Sequence, residues 1–330
     1  MASAHENVSE ATDLQALHAE ANRALSMILK GQSDAGIAAY AALLRDEDFN
    51  IRPLPLGLHL QMLRRAGHLD AAAEIQRLAL RKGADPTLSA LRQRSVPEAI
   101  AEYRGFISAG QVNGLMVSRY LLLLEQQGEQ AAMRPYLDVD RLVSRQTVLR
   151  ENAGLLSEAA ELFRAEAMAS PRREKDQSLR NLDRIAALHR RSEPVIVELL
   201  ARAKEAIDGY LAERADELRQ LFSWTVEQYR LRAFAVLSEG EGFNVPHVHS
   251  PSLITAVLYL AGPADAGGPH SPGALRVTGP SNALDPSNWP DLSFAPTPGT
   301  MVLMPSWMTH WTVPLDRPVS RISVAFDVVK

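Results

Sequence analysis

The chain has 330 residues, 46% apolar and 22% charged, with a net charge of −4, which leaves room for two domains and a sizeable buried core. No lysine- and arginine-rich stripe stands out beyond Arg172-Arg173-Glu174-Lys175, which argues against nucleic acid or an anionic membrane as a partner. The absence of cysteine excludes a disulfide scaffold, a thiolate nucleophile and a cysteine-ligated iron–sulfur cluster, and it fits a reducing cytoplasm.

In chain order, Met1 to Thr12 is polar, without the apolar core a signal peptide needs. The most conspicuous apolar run, Leu253 to Ala261, is too short to span a bilayer, so a soluble, cytoplasmic protein is expected. Residues 12–165, rich in Ala, Leu, Arg and Glu, read as a helical domain. A pattern of apolar helix, small or polar break and Ala-rich helix recurs there. Its copies run Leu25 to Leu29, Gly31, Ala35 to Tyr40; Leu60 to Leu63, Gly67, Ala71 to Ala73; Ser95 into Pro97 to Tyr103; and Leu121 to Leu124, Gly128, Ala131-Ala132. The breaks Gly31, Gly67, Ser95 and Gly128 lie 36, 28 and 33 residues apart, which brackets the tetratricopeptide period of about 34. Stacked helix pairs of that kind make a concave surface suited to a protein partner; an irregular helical bundle is the alternative.

Residues 166–192, with the polar stretch Ala169 to Asp176, read as a linker. Glu193 to Phe222 reads as a long amphipathic helix, with Val197, Leu200, Ala203, Ile207 and Leu211 at helical spacing, expected to pack on a following sheet domain. After Trp224 the period becomes two, and thirteen of the twenty prolines lie beyond Glu241. Strands are expected at Tyr229 to Ala235, Leu253 to Leu260, Ala274 to Thr278, Thr300 to Met304 and Arg321 to Val329. Short strands between Gly/Pro turns imply a jelly roll of the cupin kind over residues 193–330, and an α+β multidomain chain.

The chemistry-bearing residues sit in this second half. Strand residues i and i+2 point to one face, so His247 and His249 can aim at one ion, and His310 arrives from a distant strand as a third imidazole. Eleven residues further on, Arg321 alternates with Ser323 on the face opposite Ile322, Val324 and Phe326. Its planar fork grips a carboxylate through two hydrogen bonds, and Ser323 can add a third. Asn244 is a candidate for the same pocket or a turn former, and Tyr259 for the pocket or the core. His270 belongs to a Gly/Pro loop expected near the mouth, and Trp307 and Trp311 flank His310.

Four segments, Gly242 to His249, Leu253 to Leu260, Pro298 to His310 and Arg321 to Phe326, together resemble a family of iron(II)/2-oxoglutarate-dependent oxygenases; the resemblance covers roughly residues 195–330. It implies a double-stranded β-helix that binds Fe(II), 2-oxoglutarate and O2. It also implies oxidative decarboxylation of 2-oxoglutarate to succinate, with hydroxylation of a substrate. Arg321 would hold the far carboxylate, with Ser323, Asn244 and Tyr259 beside it. The superfamily's ligand set is His-x-Asp/Glu…His, but His249 stands here where the carboxylate is expected. Either all three histidines ligate, or two do and water takes the third place. Repeats ahead of an oxygenase also occur in aspartyl/asparaginyl hydroxylases, and they suggest a peptide or protein side chain as substrate, with a small metabolite still open. Two further readings stand beside this one: a three-histidine cupin dioxygenase that uses no 2-oxoglutarate, and a non-catalytic repeat-based binding protein.

Overall fold

The computed structural model describes residues 19–44, 59–60, 62–63, 66–81, 95–149, 151–169, 179–180, 182–222, 229–239, 242–263, 271–280, 283–315 and 320–329. The chain divides into two compact units, Met1–Ala99 and Ile100–Lys330. Among the described residues no helix is long and apolar enough to cross a membrane.

In the first unit, residues 19–29 and the segments Ser33–Leu43 and Leu69–Arg81 are helical. Gly36 lets two of these helices touch, because a Cβ there would lie 2.8 Å from the Ala24 carbonyl oxygen. The core is Ala21, Ala24, Leu25, Ile28, Tyr40 and their neighbours. It encloses a polar chain: the Tyr40 hydroxyl donates to His59 Nδ1, and His59 Nε2 donates to Asn22 Oδ1 at 3.0 Å.

The expected breaks at Gly31, Gly67 and Gly128 are helix ends of one kind. Each glycine has positive φ (85°, 84° and 71°), and the residue after it donates five residues back, Gln32 to Met27, His68 to Leu63 and Glu129 to Leu124. Ser95 is a break of another kind, a non-helical residue ahead of a helix start. It starts the helix Val96–Ser108, donating from its N–H (2.8 Å) and hydroxyl (2.7 Å) to the Glu98 carboxylate. Among the described residues Gly110 is a further helix end of the glycine kind, with φ 66° and the same closure from Gln111 to Phe106. Among the described residues the glycine ends keep no single period, since Gly110 lies 43 residues from Gly67 and 18 from Gly128, and residues 82–94 fall outside the described residues.

The second unit is built on antiparallel sheets. Its strands are β1 (Ser144–Thr147), β2 (Leu179–Arg180), β3 (Asp183–Ile185), β4 (Arg230–Glu239), β5 (Phe243–Asn244), β6 (Ile254–Ala261), β7 (Leu275–Thr278), β8 (Leu292–Phe294), β9 (Thr300–Pro305), β10 (Thr309–Thr312) and β11 (Ser320–Val329). The major sheet has the order β1-β9-β6-β11-β4-β3, the minor sheet β10-β7-β8, and β2 pairs with β5. From β6 onward the chain passes from the major sheet to the β7–β8 hairpin of the minor sheet, back to the major sheet at β9, across to β10 and back to β11, a winding between two sheets of the jelly-roll kind.

Residues expected as helix and linker belong to this sheet. Ser144–Thr147 is polar and alternates half-buried and exposed, so it carries no apolar signal, yet it pairs with β9. Within the expected linker, β3 pairs with β4, and the helix Ala153–Ala169 packs on β3, β4 and β6. The boundaries expected at 165 and 193 thus do not coincide with the division at Ala99. The helix expected over 193–222 breaks at Arg214 into Pro194–Glu213 and Ala215–Phe222. Its buried stripe is Ile196, Leu199, Ala203, Ile207 and Tyr210, while Val197 is 51% exposed. That stripe faces the helix Ala153–Ala169, which itself covers the sheet.

Candidate active site

The site grows from the two central strands. In β11, Ile322, Val324, Phe326 and Val328 are fully buried on one face, which sends Arg321, Ser323, Ala325 and Asp327 to the other. On β6 their partners are Tyr259 opposite Ser323, Val257 opposite Ala325 and Thr255 opposite Asp327. On β4, Ser238 faces Arg321 and Phe234 faces Ala325. A bulge in the β6–β11 ladder, between Ile322 and Ser323, falls immediately beside Arg321.

His247 and His249 lie not in a continuous strand, as expected, but in a loop stapled at two points. His247 and His310 exchange both backbone hydrogen bonds at 3.0 Å, and the His249 N–H donates to the Ser306 carbonyl at 3.2 Å. The helix Gly114–Gln126 supports the loop from below. The Gly114 N–H donates to Ser252 O at 2.8 Å, and a Cβ at Gly114 would sit 2.8 Å from His249 O and 2.9 Å from both Ser252 O and Ser306 Cβ. Only glycine lets this helix start so close to the histidine loop.

The three rings converge. Their centroids are 4.4 Å (His247–His310), 4.9 Å (His249–His310) and 5.3 Å (His247–His249) apart, and one ring nitrogen from each lies within 4.8 Å of the others. The tautomers follow from the partners. His247 Nδ1 meets Val245 O at 2.7 Å, His249 Nδ1 meets Asp327 Oδ1 at 2.7 Å, and His310 Nδ1 meets Met308 O at 3.1 Å. Carbonyl and carboxylate oxygens only accept, so each Nδ1 carries the proton and each Nε2 carries the lone pair. Three neutral imidazoles with Nε2 lone pairs in one place form a donor set for a borderline transition metal. Burial holds the His310 pKa well below the imidazole range, and any positive charge on His247 or His249 lowers it further.

Asp327 was not among the residues singled out from the sequence. It is fully buried, and its Oδ1 also accepts from Thr255 Oγ1 (2.9 Å) and Ser252 Oγ (3.1 Å). Burial acts to raise its pKa, but the electrostatic pull of the His249 Nδ1–H and the hydrogen bonds from His249, Thr255 and Ser252 outweigh it and hold the carboxyl below the usual range. The i, i+2 series from Arg321 through Ser323 and Ala325 reaches Asp327, so the alternation that placed Arg321 inside carried the signal.

The second cluster surrounds Arg321, which is 1% exposed. Its Nη2 donates to Asn244 Oδ1 at 3.2 Å, and the Asn244 N–H donates to Thr312 Oγ1 at 2.8 Å. Among the described residues Arg321 Nε and Nη1 have no hydrogen-bond partner, and neither does the buried hydroxyl of Tyr259. Burial pushes the Tyr259 pKa up to about 12 against the nearby Arg321 charge. Two guanidinium N–H groups and a phenol converging without acceptors suit the carboxylate of a small acid. Ser323, opposite Tyr259 in the ladder, joins the same wall.

The remaining candidates separate from this site. Trp307 is fully buried, donates from Nε1 to Tyr136 O at 2.9 Å and packs edge-on to Phe222 with centroids 5.0 Å apart, so it is a packing residue. Trp311 lies beneath the Arg276 guanidinium, 5.9 Å from its ring centroid. His270 falls outside the described residues.

Residues 232–327, which take in the three histidines, Arg321 and Asp327, match the family described as "Putative 2OG-Fe(II) oxygenase". No curated protein matches the chain significantly. Solved structures similar to it include a Pseudomonas putida prolyl-4-hydroxylase, 20% identical, covering 61% of this chain and 98% of that one with TM-score 0.40. A Trichoplax adhaerens prolyl hydroxylase in complex with a hypoxia inducible factor peptide fragment is 12% identical and covers 62% and 92% with TM-score 0.40. HygX from Streptomyces hygroscopicus, with nickel and 2-oxoglutarate bound, is 16% identical and covers 61% and 86% with TM-score 0.35.

Proposed function

We infer, from the membership of residues 232–327 in the 2OG-Fe(II) oxygenase family, that this chain is an iron(II)/2-oxoglutarate-dependent dioxygenase that hydroxylates its substrate. The observation that carries the reading is the buried Arg321, with two N–H groups and the Tyr259 hydroxyl awaiting an acceptor, in the same barrel as three convergent imidazoles. His247, His249 and His310 would hold the iron through Nε2, all three rather than two, because each ring is already oriented by an acceptor on Nδ1. When bound, iron(II) with 2-oxoglutarate and O2 supplies the oxidising chemistry: the keto acid loses CO2 to become succinate, and one oxygen atom enters a substrate C–H bond.

The chain's own residues bind, orient and shield. Arg321 takes the far carboxylate in its fork, with the Tyr259 and Ser323 hydroxyls as further donors and Asn244 bracing the guanidinium. The burial of Arg321, Tyr259 and His310 keeps water from the acid and strengthens every charge interaction with it. A three-histidine dioxygenase that uses no 2-oxoglutarate would leave the unmet donors of Arg321 without a purpose, so it ranks lower. Peptide or protein side chains are proposed as the substrate class, with a small metabolite as the competing class.

Succinate release with iron(II), ascorbate and 2-oxoglutarate tests the reading. Arg321→Ala and His310→Ala should each reduce turnover at least about a hundredfold, as loss of a charge-paired or metal-holding group does. Wild-type turnover in both variants, or oxygen uptake that ignores 2-oxoglutarate, would overturn it.

A further inference from the structure

We propose that Asp327 is a positioning residue of the metal site. It fixes His249 as a ligand and supplies, from behind that imidazole, the negative charge that a His-x-His sequence removes from the ligand set. The inference rests on the reading of the three histidines as ligands given above. Asp327 lies 78 residues from His249, yet its Oδ1 is 2.7 Å from His249 Nδ1. It is not itself a ligand, because the metal-capable cluster gathers His247, His249 and His310 without it.

A fully buried carboxylate is costly unless it is paired and hydrogen-bonded. This one is held by three donors on a single oxygen: His249, Thr255 and Ser252. Ser252 is tied in turn to Ser306 through their hydroxyls at 2.6 Å, and Ser306 is the residue whose carbonyl receives the His249 N–H. The network therefore ties both the ring and the backbone of His249 to β11. A carboxylate on Nδ1–H draws the imidazole toward imidazolate character, making Nε2 a more basic ligand and partly offsetting the charge of the ion. The family's ligand carboxylate is thus displaced by one ring rather than lost.

The test uses the full chain and Co(II) alone, titrated anaerobically and followed by calorimetry and visible absorption. Asp327→Asn keeps the shape and an acceptor for His249 but removes the charge. It should bind Co(II) about 10- to 100-fold more weakly than wild type, with the thermal midpoint little changed. In a His249→Ala background the same substitution should alter affinity by no more than about twofold, because its effect passes through His249. Wild-type affinity in Asp327→Asn, or an equal loss in both backgrounds, overturns the proposal alone. A wild-type chain that takes up no Co(II) overturns the metal reading with it.

Should Asp327→Asn not fold, histidine 15N spectra of the wild-type chain with Zn(II) decide. His249 must keep a strongly downfield Nδ1 proton while its Nε2 resonance shifts on metal binding; metallation at Nδ1, or no proton there, overturns the assignment.

Discussion

Among the described residues, Nε and Nη1 of Arg321 and the Tyr259 hydroxyl are buried without hydrogen-bond partners, and each such group costs about 1–3 kcal/mol in the chain alone. Removing one of them therefore has opposite effects with and without its ligand. Tyr259→Phe is expected to leave the thermal midpoint unchanged or higher in the absence of 2-oxoglutarate, and to lose part of the stabilisation that saturating 2-oxoglutarate gives wild type. Thermal scans of both proteins with and without the acid check this; a uniform loss in both conditions would mean the hydroxyl has a structural partner instead. At this scale the sequence was most legible where alternation applied. Strand period placed Arg321, Ser323 and Ala325 on one face, and the same period extended by two residues reaches Asp327; Tyr259, open between pocket and core in the sequence, is set opposite Ser323 only by the β6–β11 register. The convergence of His247 and His249 was legible for a different reason from the actual one, since a loop pinned to His310 and Ser306 aligns them rather than a strand.

The elements that shape the site include two that no periodicity ties to it. The helix Gly114–Gln126 reads as one more amphipathic helix of the front half, yet its first residue abuts the backbone of the histidine loop. Gly114→Ala should destabilise the chain by about 1–3 kcal/mol through overpacking and should weaken Co(II) binding, because the displaced atoms are His249 O and Ser252 O. Calorimetric titration of the variant decides it, and unchanged affinity would separate the helix from the site.

The same helix carries Glu125, which accepts from the backbone N–H groups of Leu284 (2.9 Å) and Asp285 (3.1 Å) and from Trp289 Nε1 (2.9 Å). Burial acts to raise its pKa, but these hydrogen bonds outweigh it and hold the carboxyl below its ordinary value. Its contribution is therefore complete above the unfolded-state value and is lost as pH falls through the lower folded one. Glu125→Gln should cost about 1.5–3 kcal/mol near neutral pH, and the gap between the two proteins should close in acid. Denaturation at pH 7 and below pH 4 measures it. A gap that persists in acid would assign the effect to packing.

For the whole molecule, composition and proline distribution were enough to separate a helical front from a stranded back, but not to place the division. A four-residue polar strand, Ser144–Thr147, has no apolar pattern to announce it, and the register that makes it an edge of the major sheet comes from β9, more than 150 residues on. Breaks at three glycines and Ser95 suggested a repeat, but the glycines end helices while Ser95 starts one, so their spacing mixes two kinds of boundary. It follows that residues 95–330, which keep the Ser95 cap, should fold cooperatively and retain the Co(II) site. Residues 193–330, the expected domain, lack β1, β3, the helix under the histidine loop and the Tyr136 carbonyl that Trp307 uses, and should not. Thermal unfolding of the two truncations, each with and without Co(II), tests the division.

If three Nε2 atoms and one buried guanidinium hold a metal–keto acid pair, anaerobic visible spectroscopy of the loaded chain will show it. Iron(II) and 2-oxoglutarate added together to the wild-type chain should produce the charge-transfer absorption of a chelated keto acid, and neither should produce it alone. The band should be absent in His310→Ala and should need about 10- to 100-fold more 2-oxoglutarate in Arg321→Ala. No band in the wild-type chain, or the same titration in all three proteins, would contradict the account.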